Sequence, residues 1–305
     1  MRRVRCPYCG AVFEVPEGVE YAVCPYCGTV VEIEKGSRIA SHYYPIRLEE
    51  DDARYAALSL ASQMPGAPED IASSARVTRM ELHVVPLYVC RVSASCGELT
   101  VEREEGVLAS REPLPGLTRG YRFPSMGREA YNPGVFGRVD RFHQVEVPAS
   151  TACSTLAERL GATLSLEAML AGCNTTPSLS SSVLGLAHYP FWLVEYEHPL
   201  TPKPLKAVVD AVDARVVYLE YPRSLAKRAM LAAISVAGLL LAAVLGTAAA
   251  TIAQLDWPIS LAPLASSLLA AGATVSPGLR RAASRIGVYT WSPQGGVEPR
   301  VRLEA

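Results

Sequence analysis

The spacing of apolar residues changes several times along the chain, and each change predicts a different element. Residues 1–35 read as short strands. Val12 to Val15 precedes a Pro16-Glu17-Gly18 turn, and Tyr21 to Val23 forms a second run. Thr29 to Ile33 places Val31 and Ile33 on one face, with Glu32 and Glu34 on the other. A linker at 36–42 leads to a strand at Tyr44 to Leu48. Glu49 to Gln63 then reads as a helix. Its apolar stripe is Ala53, Ala56, Ala57, Leu60 and Met64, and Glu49, Glu50, Asp51 and Asp52 load the first turn with the charge a helix dipole favours. Pro65-Gly66-Ala67-Pro68 stops it. Glu81 to Val92 predicts a strand interrupted by Pro86, with a partner at Glu98 to Arg103.

The order then repeats. His143 to Pro148 reads as a strand, Ser150 to Leu170 as a helix, Leu186 to Glu197 as a strand holding Pro190, and 205–210 with 215–220 as a hairpin. Val84-Val85-Pro86-Leu87-Tyr88-Val89 aligns with His188-Tyr189-Pro190-Phe191-Trp192-Leu193. A degenerate internal duplication of strand, helix and antiparallel strands is expected. Its copies are 43–110 and 143–222, each with an edge or bulged strand at its proline. The serine run at 178–182 reads as a loop. Residues 111–142 join the copies through a Gly-, Pro-, Tyr- and Arg-rich segment in which six basic residues face three acidic ones. Three roles fit it: an ordered connector, a binding loop, or a contact to anionic lipid headgroups.

Two uncharged stretches follow, at 229–252 and 259–276. The first, as a helix, spans about 36 Å, enough to cross about 30 Å of hydrocarbon. Arg223, Lys227 and Arg228 precede the first stretch, and Arg280, Arg281 and Arg285 follow the second. The loop between them holds Trp257 and no Lys or Arg. The positive-inside rule predicts a transmembrane hairpin with both termini cytoplasmic and a cytoplasmic tail at 277–305. Composition agrees. The 305 residues are 50% hydrophobic and only 19% charged, and mean hydropathy is +0.16. A lipid bilayer at the cell membrane is therefore the first expected partner. The formal net charge of −1 gives no general electrostatic case for nucleic acid.

The strongest chemical signal is Cys-Pro-Tyr-Cys-Gly, present at 6–10 and again at 24–28. In each copy Pro sets a bend and Gly closes the turn, so that both thiolates face one ion. Cys6, Cys9, Cys24 and Cys27 together make a tetrahedral thiolate set suited to structural Zn²⁺. The stretch resembles the zinc-ribbon family over residues 1–35. That resemblance implies a small β module, and the close spacing of the pairs favours zinc over the iron of rubredoxin. Acidic residues outnumber basic ones by one up to position 35, so a protein partner is expected ahead of a nucleic acid. Near 186–220, Tyr189-Pro190-Phe191-Trp192 and the hairpin from Val208 to Val217 are similar to PepSY-like domains. The rest resembles membrane-anchored zinc-ribbon proteins.

Cys90, Cys96, Cys153 and Cys173 lie in no metal-ligand spacing. Buried free thiols are expected of them, with Cys90–Cys96 or Cys153–Cys173 bridges as the other option. The start of the chain shows no apolar signal segment, which with a Cys₄ site predicts a reducing compartment. No hydrolase, phosphate-binding or dinucleotide motif is present. None of His42, His83, His143, His188 and His198 pairs with a carboxylate or Cys at ligand spacing, apart from the neighbourhood of Glu195, Glu197 and His198. The chain is therefore expected to be α+β, with an N-terminal ribbon, a duplicated domain and a transmembrane hairpin. Its expected function is that of a membrane-anchored, cytoplasm-facing binding or adaptor module rather than an enzyme. The rivals are a membrane-bound enzyme or redox component using the spare cysteines or a metal, and a membrane-tethered nucleic-acid-binding regulator.

Overall fold

In the computed structural model two long strands, of 21 and 20 residues, lie side by side in a nine-stranded sheet. The structure describes residues 1–224 and 285–292, with scattered helical positions between 229 and 248. Fourteen strands lie among these residues: β1 (Arg2–Arg5), β2 (Val12–Val15), β3 (Tyr21–Val23), β4 (Val30–Glu32), β5 (Ser37–Arg38), β6 (His42–Tyr43), β7 (Arg76–Cys96), β8 (Leu99–Leu108), β9 (Glu129–Ala130), β10 (Arg141–Phe142), β11 (Ser178–Glu197), β12 (Leu205–Asp210), β13 (Val216–Pro222) and β14 (Ile286–Thr290). Three helices punctuate them: α1 (Glu50–Gln63), α2 (Ile71–Ser74) and α3 (Ala149–Leu170).

β7 and β11 pair antiparallel along almost their whole length. Their side chains alternate between two buried faces. Leu82, Val84, Tyr88, Cys90, Val92 and Ala94 join the core that holds α1, α3 and the first 35 residues. Val85, Leu87 and Val89 join a second core with Leu114, Leu117, Tyr121 and Phe123 of the 111–142 segment. Burial on both faces is why these strands read as unbroken apolar runs. The central pair carries further strands on both sides. β10 and β8 lie along β7, whereas β6 and β12 lie along β11, and β13 and β14 extend the sheet beyond β12.

Pro86 and Pro190 lie in these central strands, not at an edge. On the outer side of β7, β10 ends opposite Val84 and β8 ends, from the other direction, opposite Leu87. On β11, β6 ends opposite His188 and β12 ends, from the other direction, opposite Phe191. Each proline thus falls in a gap between flanking strands, where its missing N–H breaks no ladder. The carbonyl of Pro86 accepts from Ala109 N (3.0 Å), and that of Pro190 from Ala211 N (3.2 Å). Other bonds match in the same way. Tyr44 N donates to His188 O as His143 N does to Val84 O, and Arg47 N and Leu48 N reach Ala211 O as Glu146 N and Val147 N reach Ala109 O. A local two-fold relation centred on the Val85–Tyr189 pair accounts for this matching.

The structure corrects several expectations. The chain is mostly β, with one curled sheet, and the helices are accessories of that sheet rather than half of an α+β fold. The serine run at 178–182 is the start of β11. Residues 286–290, expected in a tail, form β14 beside β13. Among the described residues no helix is long and apolar enough to cross a membrane. That counts against the transmembrane hairpin, the membrane keywords and the multi-pass cell-membrane location expected above. The stretch at 259–276 lies outside the described residues, and the one at 229–252 is described only at scattered positions.

The spare cysteines are neither free nor paired with their near neighbours. Cys90 bonds Cys153 and Cys96 bonds Cys173, with Cα atoms 5.5 and 5.9 Å apart. Both bridges tie α3 and the turn after it to β7. They close stretches 63 and 77 residues long, worth about 4 kcal/mol each in the chain-entropy account. They also staple the end of the β7–β11 pair where Ser93 and Ser180 touch at 3.4 Å and Ser180 and Ser182 are exposed among the described residues.

Two thiol populations follow. With metal chelated and the chain unfolded without reductant, four thiols titrate, and reductant raises the number to eight. The Cys90→Ser/Cys153→Ser double variant unfolds at lower denaturant, by about 2–4 kcal/mol in stability.

Candidate metal centre

The two knuckles are built alike. Cys6 N donates to Ala11 O (2.8 Å) and Gly10 N to Cys6 O (3.0 Å). In the second copy Cys24 N donates to Thr29 O and Gly28 N to Cys24 O, both at 2.9 Å. Gly10 and Gly28 take φ of +76° and +70°, a conformation glycine adopts freely. The four sulfurs lie within 4.8 Å of one another. Cys6 Sγ is 3.7 Å from Cys27 Sγ, and Cys9 Sγ is 3.7 Å from Cys24 Sγ. An ion about 2.3 Å from each corner of a sulfur tetrahedron separates the corners by about 3.8 Å. The donor set therefore fits a four-coordinate ion, and the cysteines named from sequence can hold a metal.

Electrostatics favour a cation here. Burial opposes ionisation of Cys6, but N–H groups of Cys9 and Tyr8, with contacts to the Cys9 and Cys27 thiols, outweigh it and draw Cys6 down to about 7. Burial pushes Cys24 and Cys27 up. Thr29 Oγ1, 3.2 Å from Cys27 Sγ, can donate to its thiolate. Four thiolates this close repel one another unless a positive ion sits among them.

The knuckles differ in their surroundings. The first faces solvent, and a Cβ on Gly10 would meet nothing within 4 Å. The second is clamped to the sheet. A Cβ on Gly28 would come 2.2 Å from Tyr131 Oη and 2.6 Å from a Phe142 ring carbon. Tyr131 donates to Cys27 O at 2.7 Å, and its ring lies 4.2 Å from that of His188. His188 is fully buried beneath this knuckle, and among the described residues neither ring nitrogen makes a hydrogen bond of good geometry, Gly28 being its near backbone neighbour. Burial draws its pKa down to about 3, although the Gly28 backbone favours the charged ring. Gln144 Nε2 donates to Val23 O. Ala149 N, at the start of α3, donates to a Glu20 carboxylate oxygen at 3.2 Å. α3 has no acidic residue in its first turn and no side-chain cap of its own, so residue 20 of the ribbon supplies the capping charge.

Three polar clusters escaped sequence reading. The first is His83 with His143, their rings joined by an Nδ1–Nε2 contact of 3.0 Å. Glu81 Oε2 lies 3.2 Å from His83 Nε2. If Glu81 accepts from Nε2–H, His83 Nδ1 is left to accept from His143 Nε2–H. Burial, then the neighbouring His83 and Arg141, draw His143 down to about 3, and burial also lowers His83. The second is Ser74 with His198, 2.9 Å apart above an open groove of about 460 Å³. Leu200 N donates to His198 Nδ1 and Ser74 donates to Asp70 O. Nε2 must then carry the ring proton and donate to Ser74, so His198 is no base for that hydroxyl. The third is Asp210, fully buried. It accepts from Tyr121 Oη (2.5 Å), Tyr189 Oη (2.8 Å), Val212 N (2.8 Å) and Asp213 N (3.1 Å). Burial, then the Asp213 charge, push it up to about 7 despite these donors. It ties a tight hairpin to an aromatic core and has the character of a structural latch. His42 is exposed in β6. Glu195 ion-pairs with Lys206, away from His198.

No family model, curated protein or solved structure matches the chain. The geometry of the four cysteines and of their setting carries the functional reading alone.

The asymmetry between knuckles is testable. Gly10→Ala costs about 1–2 kcal/mol, the strain of a left-handed non-glycine residue. Gly28→Ala adds a clash with two rings and costs clearly more by chemical denaturation at saturating metal. The buried histidine pair sets an acid limb. Folded His143 refuses protons that the unfolded chain binds below about pH 6.5. Its contribution is therefore complete above that pH and is lost toward pH 3, at up to about 1.4 kcal/mol per unit. Denaturation curves between pH 7 and 4 are less steep in pH for His143→Gln than for the parent chain.

Proposed function

We propose that the chain is a zinc-binding, non-catalytic binding or adaptor protein. In this reading Cys6, Cys9, Cys24 and Cys27 hold a structural Zn²⁺ that locks the ribbon onto the sheet. The observation that carries it is the clamped second knuckle. Tyr131, Phe142 and His188 pack on Gly28 and Cys27, and Glu20 caps α3. The ion's binding energy is thereby coupled to the body of the fold, as expected of a structural site. A tetrahedral thiolate set leaves no open position for substrate, and the spare cysteines are tied in disulfides, which disfavours an enzyme or redox component built on reactive thiols.

The expected partner is a protein. The exposed side of the ribbon mixes signs, with Arg3 opposite Glu14 on the β1–β2 hairpin and Lys35 paired to Glu32. A phosphate backbone calls for a face of one sign.

Metal analysis of the purified chain gives one zinc per molecule and no visible absorption. Cys24→Ser loses the metal and lowers the unfolding midpoint of the whole chain. A red, iron-loaded protein, or a metal-free variant as stable as the parent, would sink this reading.

A further inference from the structure

Among the described residues, the first six of β11, Ser178 to Val183, are hydrogen-bonded on one side only. β7 pairs with them through Ser95 to Cys90. The other edge stays open until β6 joins at Ala187 and His188 and β12 at Phe191, among the described residues. A bulge at Leu184 ends the flat run. Open edges of this length recruit other strands unless something blunts them.

Neighbouring open edges are blunted. The stretch of β7 related to this one by the local two-fold carries Arg76 and Arg79, and β8 carries Glu102, Arg103, Glu104 and Glu105. The β11 edge, Ser-Leu-Ser-Ser-Ser-Val, holds neither charge nor proline. Leu179 is 46% and Leu184 43% exposed. The edge is also rigid, because Cys96–Cys173 pins the turn before it and Cys90–Cys153 pins the strand beside it. α3 packs against the same run at Gly161 and Leu179, and leaves Leu166, Met169 and Leu170 exposed. A stiff, uncharged edge beside exposed apolar surface suits an identical neighbour. A strand of this sequence meets no like charge when it pairs with itself.

We infer that β11 pairs antiparallel with β11 of a second copy of this chain, about a two-fold axis at Ser181, joining two sheets into one. This register is dictated by the pleat. Leu179 and Val183 point to the α3 face, opposite Ala94 and Cys90, and Ser180 and Ser182 to the other. Centring on Ser181 sets Leu179 against the second copy's Val183, and Ser180 against its Ser182. Apolar pairs apolar on one face, and hydroxyl pairs hydroxyl on the other. The contact draws on surface remote from the ribbon and stands whether or not the metal is zinc.

Sedimentation equilibrium of the full chain over a micromolar range tests it, with hydrogen exchange at 178–183. The parent dimerises, and its edge amides gain protection as concentration rises. Ser180→Lys with Ser182→Lys sets like charges opposite one another across the axis and weakens the dimer roughly tenfold or more. Ser180→Lys with Ser182→Glu sets opposite charges there and restores it. A parent that stays monomeric overturns the inference. So does a dimer indifferent to the double lysine, or one whose 178–183 amides exchange at the same rate at every concentration. The exchange measurement needs no variant, so a misfolded substitution leaves the inference open to refutation.

Discussion

The antiparallel pairing of β7 with β11 is the constraint from which the rest of the architecture follows. Two strands of about twenty residues, apolar on both faces through their middle, cannot be left bare. Each face needs its own cover, and the chain supplies two unlike ones. Helices, the cysteine-rich head and the later part of the 111–142 segment take one side, and the earlier part of that segment, Leu114 to Phe123, covers the other. That segment looks like a linker by composition, yet Leu114, Leu117, Tyr121 and Phe123 make it half of a core. The prolines mark where the flanking strands change over, so a residue that breaks most ladders serves here as a boundary.

The head is joined to this frame by more than apolar burial. The second knuckle presents a bare glycine to Tyr131 and Phe142, and Glu20 reaches the start of α3. Metal, knuckle, helix and disulfides then form one mechanical line. α3 is held at its first residue by the head, in its first turns by Cys153, and just beyond its end by Cys173. A helix with no cap of its own and an apolar outer stripe needs such external support.

Much of this was legible in the residues, and the reasons for the failures are physical. The four cysteines were readable because both members of each knuckle are local, and so was the helical periodicity that became α1 and α3. The Cys90–Cys153 and Cys96–Cys173 pairs were not, because bridges across 63 and 77 residues depend on how a helix lies on a sheet. His83 and His143 meet for the same reason, sixty residues apart, one on β7 and the other just past β10. Ser178 to Ser182 read as a loop because a one-sided edge strand lacks the apolar alternation that betrays a buried one. The uncharged stretch at 229–252 carried a membrane expectation on hydropathy and flanking charge, and no described helix meets the length and apolarity a crossing requires.

The two kinds of cysteine bear on how the chain reaches its fold. Eight free thiols can form four bridges in roughly a hundred ways, whereas four thiols have only a few. An ion that claims Cys6, Cys9, Cys24 and Cys27 early removes those sulfurs from the oxidative search and leaves a small choice, which the docking of α3 on β7 decides. The knuckles are contiguous in sequence and can close before any long-range contact exists, whereas the bridges need the finished sheet. Metal before oxidant is thus the order built into the chain, and the reverse order invites scrambled bridges through the head.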